Sequence, residues 1–367
     1  ERRRKSNFSL MLQLHVWGKD NEISIISPLC IASAYLLNQV LTPQNIEFEI
    51  IPSNNTNLSD INQLPVLIDN ETKEKYNGYN EIIRFIESKY LSTSTKSSLV
   101  SYLPSDSLKT TEEKLINKGL INLLINKFEY INQYNLYLNN KNYENYTRKL
   151  FSFYLPFPMM YNQPSKYYAQ AQEQVKILGL SKQKVSFFDF TTGNNEQGSI
   201  DVAPTELIND EDDEDDEEGD EDGANVAISS LHERQLLKKS KSKQVLKESR
   251  NSMKCLILIT QYIERFKTIF QHQQRDSDEE FGFIFNNQNP SSSEILFYAY
   301  IFCLTYEKLP DRFIFNYLKL KQDYTLKFIT EIMNKNQTSK NKFRNPIGNE
   351  IPSLTNEVKY WIGSIEY

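Results

Sequence analysis

The chain has 367 residues, 39% of them hydrophobic and 12% aromatic, with 42 Lys and Arg against 48 Asp and Glu and a formal net charge of −6. That length suggests two domains, and that composition excludes a wholly disordered chain. The charge is unevenly placed: Asp210 to Asp222 holds twelve acids and one glycine, and without this run 42 basic residues face 36 acidic ones, so the remainder is net basic. Three cysteines (Cys30, Cys255, Cys303) and three histidines (His15, His232, His272) are scattered and match no disulfide or zinc spacing. The expectation is a reducing compartment and no protein-built metal site. Arg2-Arg3-Arg4-Lys5 is basic but no apolar run follows, so no secretory signal is read here. The chain starts at Glu1, which suggests a trimmed amino end with Met11 as a natural start. The longest apolar run, Ile295 to Tyr306, is too short for a bilayer, which needs about 20 residues, so any membrane role is expected to be peripheral.

In chain order, Leu12 to Trp17 alternates and predicts a strand. Ser27-Pro28 is an N-cap followed by proline at the first helical position, opening a mostly apolar helix over Leu29 to Val40. Ile46 to Ile51 alternates again. After a polar loop over Ser53 to Asp60 comes Gln63-Leu64-Pro65-Val66-Leu67-Ile68-Asp69, an apolar strand with a proline where a ladder donor belongs. Pro65 is the candidate for a structural cis-proline. A turn, a short return strand and a helix capped near Asn80 with stripe Ile82, Ile83, Phe85 and Ile86 complete a β-α-β-loop-β-β-α order. That order, with an X-Pro strand, predicts the glutathione-transferase version of the thioredoxin fold.

A Ser/Thr/Lys linker leads to a helical stripe of Ile116, Leu120, Leu123, Leu124, Phe128 and Ile131. Helix continues over Tyr143 to Tyr154, breaks at the three prolines of Leu155 to Pro164, and resumes from Ser165 to Gly179. Periodicity is lost from Ser181 to Asn225. Ser229 to His272 returns to helix with a basic first half, and Ser291 with Glu294 forms a capping box before an all-round apolar helix from Ile295. From Asn334 the tail reads as polar and loose until Val358, Tyr360, Trp361 and Ile362, a small apolar anchor. The expected organisation is a flexible segment (1–11), a thioredoxin-like domain (12–91), a linker (92–110), the first part of a helical domain (111–180), an acidic disordered insertion (181–228), the remaining helices (229–335) and a C-terminal tail (336–367). The fold class is thus α/β plus all-α.

His15-Val16-Trp17-Gly18-Lys19-Asp20, Leu64-Pro65-Val66-Leu67, and above all Tyr137 to Phe151 followed by Phe157-Pro158-Met159-Met160-Tyr161-Asn162-Gln163-Pro164 resemble the metaxin family, in particular its larger GST-like fungal subunit. The resemblance covers about Leu12 to Gln174 and fades beyond. It implies a non-catalytic subunit of the mitochondrial sorting and assembly machinery, peripheral on the cytosolic face of the outer membrane. The implied partners are a barrel-forming core subunit and a smaller GST-like sister, with the general outer-membrane translocase and β-barrel precursors as further contacts.

A glutathione transferase needs a hydroxyl or thiol at the first helix N-terminus, where the dipole stabilises a thiolate. Ser27 and Cys30 occupy that region, but a helix cap and a core cysteine are the plainer readings. The Glu/Gln-Ser pair that such enzymes usually place before the third helix is replaced by Gly78-Tyr79-Asn80. His15 and Trp17 read as core face and rim aromatic, with no triad spacing around His15. No catalytic, cofactor-binding or metal residues and no cofactor are therefore expected. For a partner interface the candidates are Tyr154, Phe157, Met159, Met160 and Tyr161: aromatics and Met are enriched at interface centres, and prolines lower the ordering cost of a binding loop. The same side chains would equally serve as filling between the two domains. The acid run reads as a solvated insertion, or as a competitor for basic ligands. Ser277 in its acidic context reads as a kinase site. The basic helix suits anionic lipid better than nucleic acid. The rival functions are a glutathione-dependent transferase and a cytosolic GST-like interaction module.

Overall fold

The computed structural model describes residues 12–91, 110–180, 230–273, 282–285, 289–335 and 342–365. The chain forms two compact units, one of residues 1–181 with 250–367 and one of residues 182–249. Of the second unit the described part, residues 230–249, is helical. The acid run, the linker from 92 to 109 and Ser277 lie outside the described residues.

The first unit begins with a four-stranded mixed sheet. β1 (Leu12–His15) runs parallel to β4 (Phe48–Ile51) and antiparallel to β5 (Val66–Asp69), which pairs with β6 (Lys75–Asn77). A short hairpin, β2 (Gly18–Lys19) with β3 (Glu22–Ile23), stands apart from it. The strand order β4-β1-β5-β6, crossed by α1 (Pro28–Leu41) and followed by α2 (Gly78–Ile86), is the thioredoxin-like arrangement. Ser27 caps α1, its Oγ accepting from the Cys30 N–H at 3.3 Å. The Leu64–Pro65 bond is cis, and the Pro65 carbonyl accepts from the Gly78 N–H at 2.9 Å. Gly78 sits at φ +71, a conformation that glycine adopts without strain. Buried Asp69 is tied to Lys89 at 2.6 Å; burial pushes its carboxyl up, but that bond and the Glu71 N–H outweigh it and hold the group below its usual value.

Helices then follow almost without interruption: α3 (Thr111–Leu123), α4 (Glu129–Gln133), α5 (Asn140–Asn142), α6 (Arg148–Tyr154) and α7 (Met159–Val175), with wide π-type turns at Leu124–Phe128, Tyr134–Leu138 and Tyr143–Thr147. The asparagine-rich block forms a buried polar knot here. Asn139 caps α5, and Asn142 donates to Asn135 and accepts the Asp311 N–H at 2.7 Å. The long-range partner Asp311, bonded by both Asn139 and Asn142, explains why asparagine, a poor helix former, stands at these positions.

After α8 (Ser230–Gln273), α9 (Ser292–Leu304) is apolar on all sides and is wrapped by α1, α3 and α11 (Asp323–Lys335), with α10 (Phe313–Lys321) packed on α11. Phe266 stacks on Phe297 at 4.1 Å. The two domains meet at the start of α9, where the Tyr79 hydroxyl donates to the Ser292 carbonyl at 2.8 Å and Asn117 bonds both Ser292 and Ser293.

At the same point Glu294 closes the capping box and also accepts the Ile284 N–H at 2.6 Å. Burial pushes its carboxyl up to about 7, above an ordinary 4.5. A raised folded-state value means that the contribution of this group to stability is complete below about 4.5 and is lost as pH rises through about 7, on the order of 3 kcal/mol in all. Glu294→Gln is expected to flatten the dependence of the urea midpoint on pH over that window. Equal slopes for the two proteins would count against it.

The C-terminal segment departs from the loose tail that its polarity suggests. Phe343 bridges Ile50 on the free edge of β4, and the Arg344 N–H donates to the Ile50 carbonyl at 3.0 Å. Arg344 pairs with Glu49 at 2.8 Å and with Glu350 at 2.7 Å. The Asn349 carbonyl accepts from Asn55, and Glu357 of α12 (Leu354–Trp361) accepts from Asn57. A thioredoxin-like sheet must be covered on both faces. Between β4 and β5 this chain has only a 3-10 turn at Thr56–Leu58, and the returning segment supplies cover on the Gln13–His15 side. Of the apolar side chains that read as an anchor, Trp361 and Ile362 are not packed into the fold: they are 74% and 70% exposed.

Candidate interaction site

The proline-broken segment turns a corner between α6 and α7. The Leu155 N–H closes α6 on the Phe151 carbonyl; the Phe157–Pro158 bond is cis; the Pro156 and Pro158 carbonyls accept from Met160 and Tyr161 as α7 starts. The corner has two sides. Inward, Phe151 meets Trp17 edge-on at 5.6 Å, and Tyr154 and Tyr167 lie 6.3 and 6.4 Å from the same indole. This aromatic seam joins the first domain to the helices and buries Trp17, which thereby leaves the rim. Outward, Phe157 is 72% exposed and Tyr161 meets it edge-on at 6.2 Å. Phe153 is also exposed, with the Lys19 ammonium 5.5 Å above its ring.

Of the five candidate interface residues, the structure brings Phe157 and Tyr161 together on the surface. It leaves Met159 and Met160 half-buried and places Tyr154 in the seam. Phe153 and Lys19 were not among the candidates. The i, i+4, i+8 spacing of Phe153, Phe157 and Tyr161 was the available signal, masked by the prolines between them.

The first-helix terminus offers little to a thiol chemistry. Cys30 is fully buried, and burial pushes its thiol up to about 12, so it stays protonated and unreactive. The half-buried Ser27 hydroxyl accepts the Cys30 N–H as the helix cap. Tyr79, at the position that would grip a γ-glutamyl group, points into the domain seam. His15 is buried; burial pushes its imidazole down to about 4, with Glu350 and Arg344 as its charged neighbours. Among the described residues no group of His, Cys, Asp and Glu could hold a metal ion, and no helix is long and apolar enough to cross a membrane.

Fold and site together define a glutathione-transferase-like chain with the cysteine of its first helix buried and an aromatic corner turned to solvent. The family profile described as "Outer mitochondrial membrane transport complex protein" matches residues 30–168, and that of the "Tom37 C-terminal domain" matches residues 208–365. The two span most of the chain, which belongs to this metaxin-like family. No curated protein matches. Among solved structures, the glutathione S-transferase CsGST63524 of Ceriporiopsis subvermispora in complex with glutathione is similar at 10% identity and a TM-score of 0.42, over 90% of this chain and 98% of that one.

Proposed function

We propose that this chain is a non-catalytic subunit of the machinery that sorts and assembles β-barrel proteins into the mitochondrial outer membrane. The family places it with outer-membrane transport complexes; the assembly role, the cytosolic face and peripheral attachment are our reading. Its partners would be a barrel-forming core subunit and a smaller GST-like sister, with the general translocase and barrel precursors as further contacts. The observation that carries an action by contact is the aromatic corner. Phe153, Phe157 and Tyr161 hold large apolar rings in water on a backbone fixed by three prolines, which is the composition of interface centres. The buried, protonated Cys30 supports binding over thiol chemistry.

Phe157→Ala combined with Tyr161→Ala is expected to reduce recovery of outer-membrane partners at least roughly tenfold in a tagged pull-down from gently solubilised mitochondria. Circular dichroism should be unchanged because both rings face solvent. Full recovery of partners would remove the corner from the interface. Retention on immobilised glutathione would favour the transferase reading instead.

A further inference from the structure

The last helix is amphipathic in the reverse sense. Its polar side faces the protein: Asn356 donates to the Gly348 and Ile351 carbonyls, and Glu357 accepts from Asn57. Its apolar side faces water. Leu354, Val358, Trp361 and Ile362 follow i, i+4, i+7, i+8 spacing, share one face, and are all exposed. The Arg344–Glu49–Glu350 cluster and the β4 bridge hold the segment leading to this helix in place. A polar helix surface buried so that an apolar one can stand in water costs free energy unless something covers it.

We propose that this face lies in the interfacial zone of a phospholipid bilayer. Three observations favour lipid over a protein partner. The side chains are branched aliphatics with a terminal indole, the mixture that partitions between headgroups and acyl chains. Among the described residues, the nearby carboxylates Glu350 and Glu357 are engaged within the protein, while the Lys359 ammonium is exposed and suited to lipid phosphate. The family belongs to outer-membrane complexes, while no described helix can cross a bilayer. The proposal rests on the outer-membrane setting of the function above and identifies the surface that touches lipid.

The chain reports on itself. It has two tryptophans, Trp17 at 2% exposure and Trp361 at 74%. The purified full chain is mixed with phosphatidylcholine vesicles containing phosphatidylinositol, in versions with plain and with brominated acyl chains. The expected result is co-sedimentation, a blue shift, and quenching by brominated lipid that Trp361→Phe abolishes. Val358→Asp with Ile362→Asp should lower the bound fraction roughly tenfold or more and leave the urea midpoint unchanged. The proposal is overturned if the chain stays in the supernatant, if the paired substitution binds as the parent does, or if the blue shift appears without lipid together with a doubled mass, which would identify a second copy as the occupant. Vesicle binding with normal quenching but no partner capture would sink the assembly role and leave the lipid surface standing.

Discussion

Truncation after Lys335 is expected to destabilise the thioredoxin-like domain and free its buried histidine. The lost segment pairs Arg344 with Glu49 and Glu350, bridges the β4 edge through Phe343 and hydrogen-bonds Asn55 and Asn57. Arg344→Ala alone leaves two largely buried carboxylates without their partner, at about 2 kcal/mol. Full truncation adds the exposure of the sheet face and should cost more. His15 gives the specific readout. Its imidazole, pushed down to about 4 by burial, should titrate near its ordinary 6.5 once the cover is gone. The sign follows: a depressed folded-state value gives stability that is present above about 6.5 and lost as pH falls through about 4, so the truncated chain loses this acid sensitivity. An unchanged urea midpoint together with an unchanged His15 titration by NMR would show that the segment does not cover the sheet.

Asn142→Ala is the second large effect. The side chain accepts the Asp311 N–H at 2.7 Å and donates to Asn135 and to the Asp311 carbonyl, all within buried or half-buried surroundings. Alanine leaves a donor and acceptors unpaired, and each orphan costs about 1–3 kcal/mol, so a loss of about 3 kcal/mol is expected. Asn145, three residues on, is exposed and donates only to the Lys141 carbonyl of its own helix. Asn145→Ala should change stability by less than about 0.5 kcal/mol. Urea unfolding of the two variants measures the contrast, and equal losses would show that the buried contacts of Asn142 add no stability.

The same contrast shows what is legible in a sequence. Tyr137 to Phe151 is recognisable as a distinctive block, yet nothing in its periodicity separates Asn142 from Asn145, because the partner that distinguishes them lies 169 residues away. The aromatic corner behaves alike. Three prolines mark a break between helices, but which rings turn toward Trp17 and which toward water depends on where the first domain docks.

Features settled within a few residues are written in the chain itself. Alternation set β1; Ser27-Pro28 and the Ser291–Glu294 box set the starts of α1 and α9; the all-round apolar run from Ile295 required a buried helix. Caps and periodicities act through hydrogen bonds and faces three or four residues apart, so they are written locally. The return of the polar tail over the sheet and the outward turn of the apolar face of α12 follow from long-range packing. Those outcomes depend on Arg344 meeting Glu49 across 295 residues. An isolated sequence shows that arginine and that glutamate without showing that they meet, because the closing geometry is made by every element between them.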